Sequence, residues 1–396
     1  MDVDARGHGS SWSPRSRGPR DPRLPGVSAP RALAEGPLVN EVHGRRDKKP
    51  TAKAVADLAA VSVTTVSRVV NGRGDGISEE TRKRVLEAAR ALRYRPNSLA
   101  AALRRGYTRT VGLVVPDITD AYFHQIARGV DDVAQENGYT VVLCNTDRQA
   151  DKERAAIEAL YDQGVEAIIF AGGGVDDDTH LRDLPWEFMH VVTVGPHRLP
   201  FPSVRVDDTA TIRTAVCHLL DQDRRRVLCV GGLDTWLIHA ERMEGYRQAL
   251  QQHGIAYDEA LRFSGDFSIT AGYDAVYRAI DAQTHFDAVM AFNDYTAVGV
   301  MQALDELGRR VPEDVAVVGC DDIPLAALVH PTLSSISFRQ REFGVIAMRT
   351  VLDLHAGRPV QPVTQLDYSL QVRSSSAPSG VATNSAAVQR ANKKEH

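Results

Sequence analysis

The sequence predicts an α/β protein, an N-terminal all-α helix-turn-helix headpiece followed by two doubly wound parallel α/β lobes. Three observations predict it. Two short helical patterns follow one another directly in residues 51–71, and the second, Ser62–Asn71, sets valines on one face against small polar residues and Arg68 on the other. Further along, short β-branched runs alternate with amphipathic helical patterns, as βαβ units require. The charge is also split: the net −4 over 396 residues divides into +4 for residues 1–50, +7 for 51–110 and −15 for the remainder. A basic head on an acidic body is the electrostatic footprint of a polyanion site at one end of a chain.

Residues 1–48 are rich in Gly, Pro, Ser and Arg and carry no hydrophobic period, so they are expected to be a disordered basic leader. Either a dispensable segment or an arm touching phosphate fits that composition. Residues 49–95 predict a three-helix unit. The first helix, Thr51–Ala59, has Thr51 as N-cap and turns Val55, Leu58 and Ala59 inward. After a tight Ala60-Val61 turn, Ser62 caps the second helix, whose Val66, Val69 and Val70 form the buried stripe. Asn71-Gly72 ends it, and Arg73–Gly76 forms a loop. Ser78 caps the third helix, with Glu79 and Glu80 in its first turn, where the helix dipole favours acid. Val85, Leu86, Ala89 and Leu92 face inward, Arg82, Lys83, Arg84, Arg90 and Arg93 face outward, and Pro96 is the expected stop. Residues 96–108 read as a hinge helix and linker, their helical pattern too short to be stable alone.

Residues 109–373 hold the two lobes. The strand-like runs are Val111–Pro116, Thr140–Asn145, Ala167–Ala171, Val191–Gly195, Val227–Gly231, Ala288–Phe292 and Val315–Gly319. Helical patterns lie near Tyr122–Asn137, Lys152–Gln163, Thr209–Leu220, Glu241–His253, Ala271–Ala282, Thr296–Leu307 and Arg341–His355. So many elements suit two sheets better than one, and ligands in such sheets sit beyond the carboxyl ends of the strands. Residues 374–396 are polar and Ala/Ser-rich, an expected disordered tail without a leucine heptad.

Composition excludes several classes. At 43% hydrophobic and 25% charged the chain is ordinary globular material, and no run approaches the ~18 apolar residues of a membrane span. The start has no apolar secretory core. Four cysteines, Cys144, Cys217, Cys229 and Cys320, lack C-x-x-C spacing and read as buried free thiols in a reducing compartment. Asp176-Asp177-Asp178 lacks the spaced ligands of a calcium loop and reads as a solvated turn. No phosphate-binding glycine fingerprint, metalloprotease helix or nucleophile elbow is present, so no cofactor, metal or catalytic group is expected, and an enzyme reading has no residues to stand on.

Val55-Ala56-Asp57-Leu58-Ala59, the run Val61–Gly72, Ser78–Arg82 and Leu92–Asn97 together resemble the lactose-repressor/galactose-repressor (LacI/GalR) family of bacterial transcription regulators. The resemblance extends through Val111–Asp117, Gly319-Cys320-Asp321-Asp322 and Pro331-Thr332-Leu333, and covers about residues 50–373. It implies lobes of the periplasmic-binding-protein-like type. It also implies a base-reading role for Val63, Thr64 and Arg68, and phosphate contacts for Thr65, Ser67 and Asn71, with the helix-start hydroxyls of Thr51 and Ser62 added to that set. The chemistry agrees: an Arg forks onto guanine, and Val or Thr methyls meet a thymine methyl. Arg68 as a phosphate contact remains the alternative. At the hinge it implies minor-groove contact by Asn97, Leu103 and Arg104, Leu103 being the wedge; Leu99 and Leu103 covering the lobe below is the other reading. Ala60 stands where the family usually has Gly, and the 72–76 loop looks one residue longer than usual.

For the cleft, the resemblance and the strand ends together select Asp117, Tyr122, Phe123, Trp236, Arg242, Phe267, Asn293, Asp294 and Asp321 as effector-binding residues. Each has a structural alternative: Tyr122 and Phe123 as core, Arg242 paired with Glu241 or Asp234, Asp321 as a helix cap. The expected protein is a cytoplasmic, nucleoid-associated homodimeric repressor. Its partners are a pseudo-palindromic double-stranded DNA operator and a small-molecule effector, a sugar or sugar derivative before a purine-type base, with no membrane partner. A cytosolic solute-binding protein without DNA function is the alternative.

Overall fold

The computed structural model describes residues 50–72, 76–94, 108–172 and 179–377, in two compact units divided at residues 96 and 97. The expected leader, the hinge residues Asn97, Leu103 and Arg104, Pro96, and the Asp176–Asp178 run lie outside the described residues.

The first unit is the expected three-helix headpiece: α1 (Ala52–Ala59), α2 (Val63–Val70) and α3 (Glu79–Ala91). Each helix begins at a hydroxyl that accepts an orphan backbone N–H: Thr51 from Ala54, Ser62 from Thr65 and Ser78 from Thr81. Val55, Ala56, Ala59, Val66, Val69, Val85, Ala88 and Ala89 form the core, with Val70 and Leu92 packed at its margin. Leu58 and Leu86 do not point inward as expected; they are 58% and 37% exposed. Ala56 and Ala88 take those places, because small side chains let three short helices approach closely. Ala60 adopts left-handed backbone (φ 53°), the conformation for which Gly is the unstrained choice. The third helix ends at Ala91, before Pro96, where left-handed Arg93 lets the Tyr94 N–H donate to the Ala89 carbonyl.

The second unit has two six-stranded sheets. One contains β1 (Thr110–Val115), β2 (Thr140–Asn145), β3 (Ala167–Ala171), β4 (His190–Val194), β5 (Ser203–Arg205) and β11 (Val363–Gln365), in the order β11-β5-β4-β3-β1-β2. The other contains β6 (Val227–Gly231), β7 (Arg262–Ser264), β8 (Ala288–Ala291), β9 (Ala316–Asp321), β10 (Ser334–Phe338) and β12 (Tyr368–Gln371), in the order β12-β10-β9-β8-β6-β7. Pairing is parallel except between β10 and β12. The chain passes from one sheet to the other after β5, returns after β10 and crosses a third time between β11 and β12.

All seven expected strands are present; five short or polar ones escaped the reading. β10 was hidden by serines: Ser334 and Ser335 are fully buried, their polarity satisfied by hydrogen bonds to Arg373, Ser375, Ser376 and Asp294. The lobe extends past the expected boundary at 373, since buried Ser375 accepts from Ser334 N–H and donates to the Val317 carbonyl.

Helices α4 (Ala121–Glu136), α5 (Ala150–Asp162), α6 (Asp208–Leu220), α7 (Leu237–Gln252), α8 (Ile269–Asp281), α9 (Asp294–Glu306) and α10 (Gln340–His355) cover the sheets. Three pairs, α4 with α10, α6 with α7 and α8 with α9, pack backbone to backbone at glycines. A Cβ at Gly129 would lie 2.0 Å from the Arg341 carbonyl oxygen, and one at Gly344 would lie 2.0 Å from that of Ile126. Neither obstacle is a flexible side chain, so one helix would have to move. Gly344→Ala is therefore expected to destabilise the two-lobed unit by about 1–3 kcal/mol in urea unfolding. Ala60→Gly, which relieves left-handed strain, is expected to raise headpiece stability by about 0.5–1 kcal/mol.

Candidate nucleic-acid interface and interlobe cleft

On α2 the sequence pattern becomes a two-faced surface. Val66 and Val69 are buried, whereas Val63, Thr64 and Arg68 are exposed on the other side, with Val63 46% exposed despite being apolar. Among the phosphate candidates, Thr51, Ser62 and Asn71 are exposed and Thr65 and Ser67 are half-buried. Thr65 and Ser62 hydroxyls share a 2.8 Å hydrogen bond, and the Asn71 amide donates to the Ser67 carbonyl at 2.6 Å. These local bonds hold the polar groups at the two ends of α2 in place.

In the second unit, carboxyl ends of strands from both sheets line one cleft. Its outer part is a cavity of about 590 Å³ walled by Pro116, Asp117, Thr119, Asp120, Asp147 and Arg148 from the first lobe and by Leu233, Trp236, Asp266, Phe267, Ser268, Ile269 and Tyr295 from the second. Adjoining it is an inner chamber of about 60 Å³ that shares Asp120, Arg148 and Phe267 with it and is lined further by Tyr122, Phe123, Gly195, Arg242, Asn293 and Asp321. Eight of the nine expected effector residues therefore line the cleft.

Their roles differ. Tyr122 and Phe123 are edge-to-face at 5.0 Å and serve both core and wall. Trp236 and Phe267 pack with ring centres 5.1 Å apart and planes tilted by 52°, and Phe267 is held in left-handed backbone (φ 68°). Asn293 fixes that loop: it caps α9 through the Thr296 N–H and donates its amide to the Phe267 carbonyl at 2.9 Å. Arg242, 4% exposed, pairs with neither Glu241 nor Asp234. Its Nε donates to Asp208 at 2.8 Å, another nitrogen donates to the Phe292 carbonyl, and Asp321 lies 4.0 Å away. Asp321 sits at the end of β9 and caps no helix; burial drives its carboxyl well above the usual range, with Arg242 opposing the shift.

Asp294 is the exception. It is fully buried and lines neither cavity; its oxygens accept from the Ser335 hydroxyl at 2.6 Å and the Ile323 N–H at 2.8 Å. Its place beside Asn293 was misleading: Asn293 caps α9 and borders the cleft, whereas Asp294, the first residue of α9, has its carboxylate held by Ser335 and the Ile323 N–H. Sequence reading missed Arg148, Asp120, Asp266 and Tyr295. Arg148 lies three residues past the expected strand Thr140–Asn145, so the rule that ligands sit beyond strand ends extends to it.

Comparison with known proteins agrees with both units. The family model described as bacterial regulatory proteins, lacI family, matches residues 51–97, and the periplasmic binding protein-like domain matches residues 216–376. The chain is similar to catabolite control protein A of Priestia megaterium, with 32% identity over 325 residues, 81% of this chain and 97% of that protein. It is similar in structure to a lac repressor dimer bound to operator and an anti-inducer (25% identity, 83% and 99% coverage, TM-score 0.74). It is also similar to the regulator CelR in complex with cellobiose (32% identity, 82% and 99% coverage, TM-score 0.63).

The buried Asp294 gives a pH signature. Burial raises its carboxyl to about 7, against 3.8 for the free group, despite the Ser335 and Ile323 hydrogen bonds. Between those values the folded chain binds more protons than the unfolded one, so this group's contribution to stability falls as pH rises from about 4 to 7. Asp294→Asn should flatten that part of the stability–pH profile in urea titrations; an unchanged slope would show that another group titrates there.

Proposed function

The chain belongs to the LacI family of bacterial regulatory proteins, and from that premise we propose that it is an effector-controlled transcriptional repressor that binds a pseudo-palindromic operator as a homodimer in the cytoplasm. The observation that carries this reading is the outward presentation of Val63, Thr64 and Arg68 on a helix held from behind by Val66 and Val69.

In this reading α2 of each subunit enters the major groove of one half-site. Arg68 forks onto guanine O6 and N7, and the Val63 and Thr64 methyls meet thymine. Thr51, Ser62, Thr65, Ser67 and Asn71 hold phosphates and set the register. Asn97, Leu103 and Arg104 belong to a hinge that enters the minor groove, Leu103 as the wedge. The effector lies between the lobes with a ring face on Trp236 and Phe267 and hydroxyls toward Asn293, Asp321 and Arg242. Flat aromatic walls with a few polar groups suit a sugar, and a cellobiose-bound relative supports that class. By binding one lobe arrangement better than another, the effector shifts the population that binds operator.

Gel-shift titration with operator DNA at several salt concentrations tests the DNA half. Log K should fall linearly with log salt, by about 0.9 per phosphate contacted. Arg68→Ala should cost about 1–3 kcal/mol on the operator and much less on random DNA; an equal loss on both would make Arg68 a phosphate contact. A thermal-shift screen of sugars and nucleosides tests the effector half, and Phe267→Ala should abolish any sugar-induced shift.

A further inference from the structure

The cleft holds a cation, Arg148, to which the effector reading gives no role. Arg148 leaves the end of β2 in left-handed backbone (φ 55°), immediately after left-handed Asp147 (φ 49°). Its guanidinium carbon lies 4.9 Å from the Trp236 ring centre, 5.7 Å from that of Phe267 and 5.9 Å from that of Phe123. Phe123 belongs to one lobe and the other two rings to the second, so a single side chain bridges both walls.

Arg148 also stands between the two cavities, lining the outer one of about 590 Å³ and the inner one of about 60 Å³. The polar groups Arg242, Asn293 and Asp321 belong to the inner chamber, which is far below the roughly 300 Å³ at which small-molecule sites begin. A pentose or hexose ring therefore does not fit among them while Arg148 stays where it is.

We infer that Arg148 is the chain's own occupant of the effector's aromatic cage, a gate that a ring-shaped effector must displace. The inference rests on the effector-cleft reading above and narrows its ligand class. A guanidinium is flat, weakly hydrated and attracted to aromatic faces, so it fills a ring-shaped slot as a sugar face would. With Arg148 in place the lobes are latched across the cleft without ligand. With it displaced, Asp117, Asp120 and Asp266 remain around the mouth, and Arg242 is already neutralised by Asp208. The vacated cage thus accepts a neutral or aminated ring and rejects a phosphorylated one.

The test uses the full chain carrying Trp12→Phe and Trp186→Phe, so that Trp236 alone reports. Methylguanidinium at millimolar concentration should change Trp236 emission saturably in Arg148→Ala and leave the parent unaffected. No saturable change in the variant, or the same change in the parent, overturns the cage. If Arg148→Ala does not fold, Arg148→Lys, which keeps the charge but loses the flat face, replaces it. Calorimetric titration with cellobiose, ribose, glucosamine and glucose 6-phosphate then reads the gate. Any neutral or aminated sugar that binds the parent should bind Arg148→Ala about tenfold more tightly, because the competing closed population is removed. Equal or weaker binding overturns the gate, and preferential binding of glucose 6-phosphate overturns the charge selection. If no sugar binds either protein, the sugar reading fails, while the methylguanidinium result still decides whether Arg148 fills the cage.

Discussion

The buried guanidinium of Arg242 is the constraint around which the two-lobed unit is organised. A charge that is 4% exposed survives only where its partners replace water, and each partner here comes from a different element. Asp208 opens α6 just after the first crossing between lobes, Phe292 follows β8, and Asp321 ends β9. One side chain on α7 therefore ties a crossing point to two strand ends. Removing any partner would leave charge stranded in a dry site, which is why this arrangement can hold the cleft floor in a fixed geometry.

Strain collects where the cleft needs it. Asp147, Arg148, Phe267 and Asp321 all line the cavities and all have positive φ, at 49°, 55°, 68° and 113°. None is glycine, so each conformation has to be held by its surroundings. Asn293 does this for Phe267 by capping α9 with one end of its amide and holding the Phe267 carbonyl with the other. Gln340 does it for Asp321 by donating to its carbonyl from the segment that crosses back between lobes. The Gln340 segment, which joins the lobes, thus also aims a group that faces the cleft, which is the coupling an effector-driven lobe movement requires.

The headpiece works by a different economy. Its core is small and built largely from Val and Ala, so three capping hydroxyls and tight helix contacts do what a larger apolar volume does in the lobes. That leaves the outer faces of α2 and α3 to polar and basic residues, and the Ala60 turn accepts left-handed strain to set the angle between α1 and α2.

Local pattern was enough to determine the headpiece helices, their caps, the outward set Val63, Thr64 and Arg68, and seven of the strands, because period and capping chemistry act over a few residues. The same reading misjudged Leu58, Leu86 and Asp294, whose orientation depends on how closely neighbouring helices pack and, for Asp294, on the buried Ser335 and Ile323 groups that hold its carboxylate. It passed over β10, whose serines look like a loop until buried partners satisfy them. It also passed over Arg148, which looks like an ordinary loop arginine until two lobes bring three rings around it. Amphipathic pattern and fold class are properties of the chain itself; burial of polar groups, backbone strain and the filling of the cleft arise only when segments distant in sequence compete for the same space, so tertiary structure alone decided them.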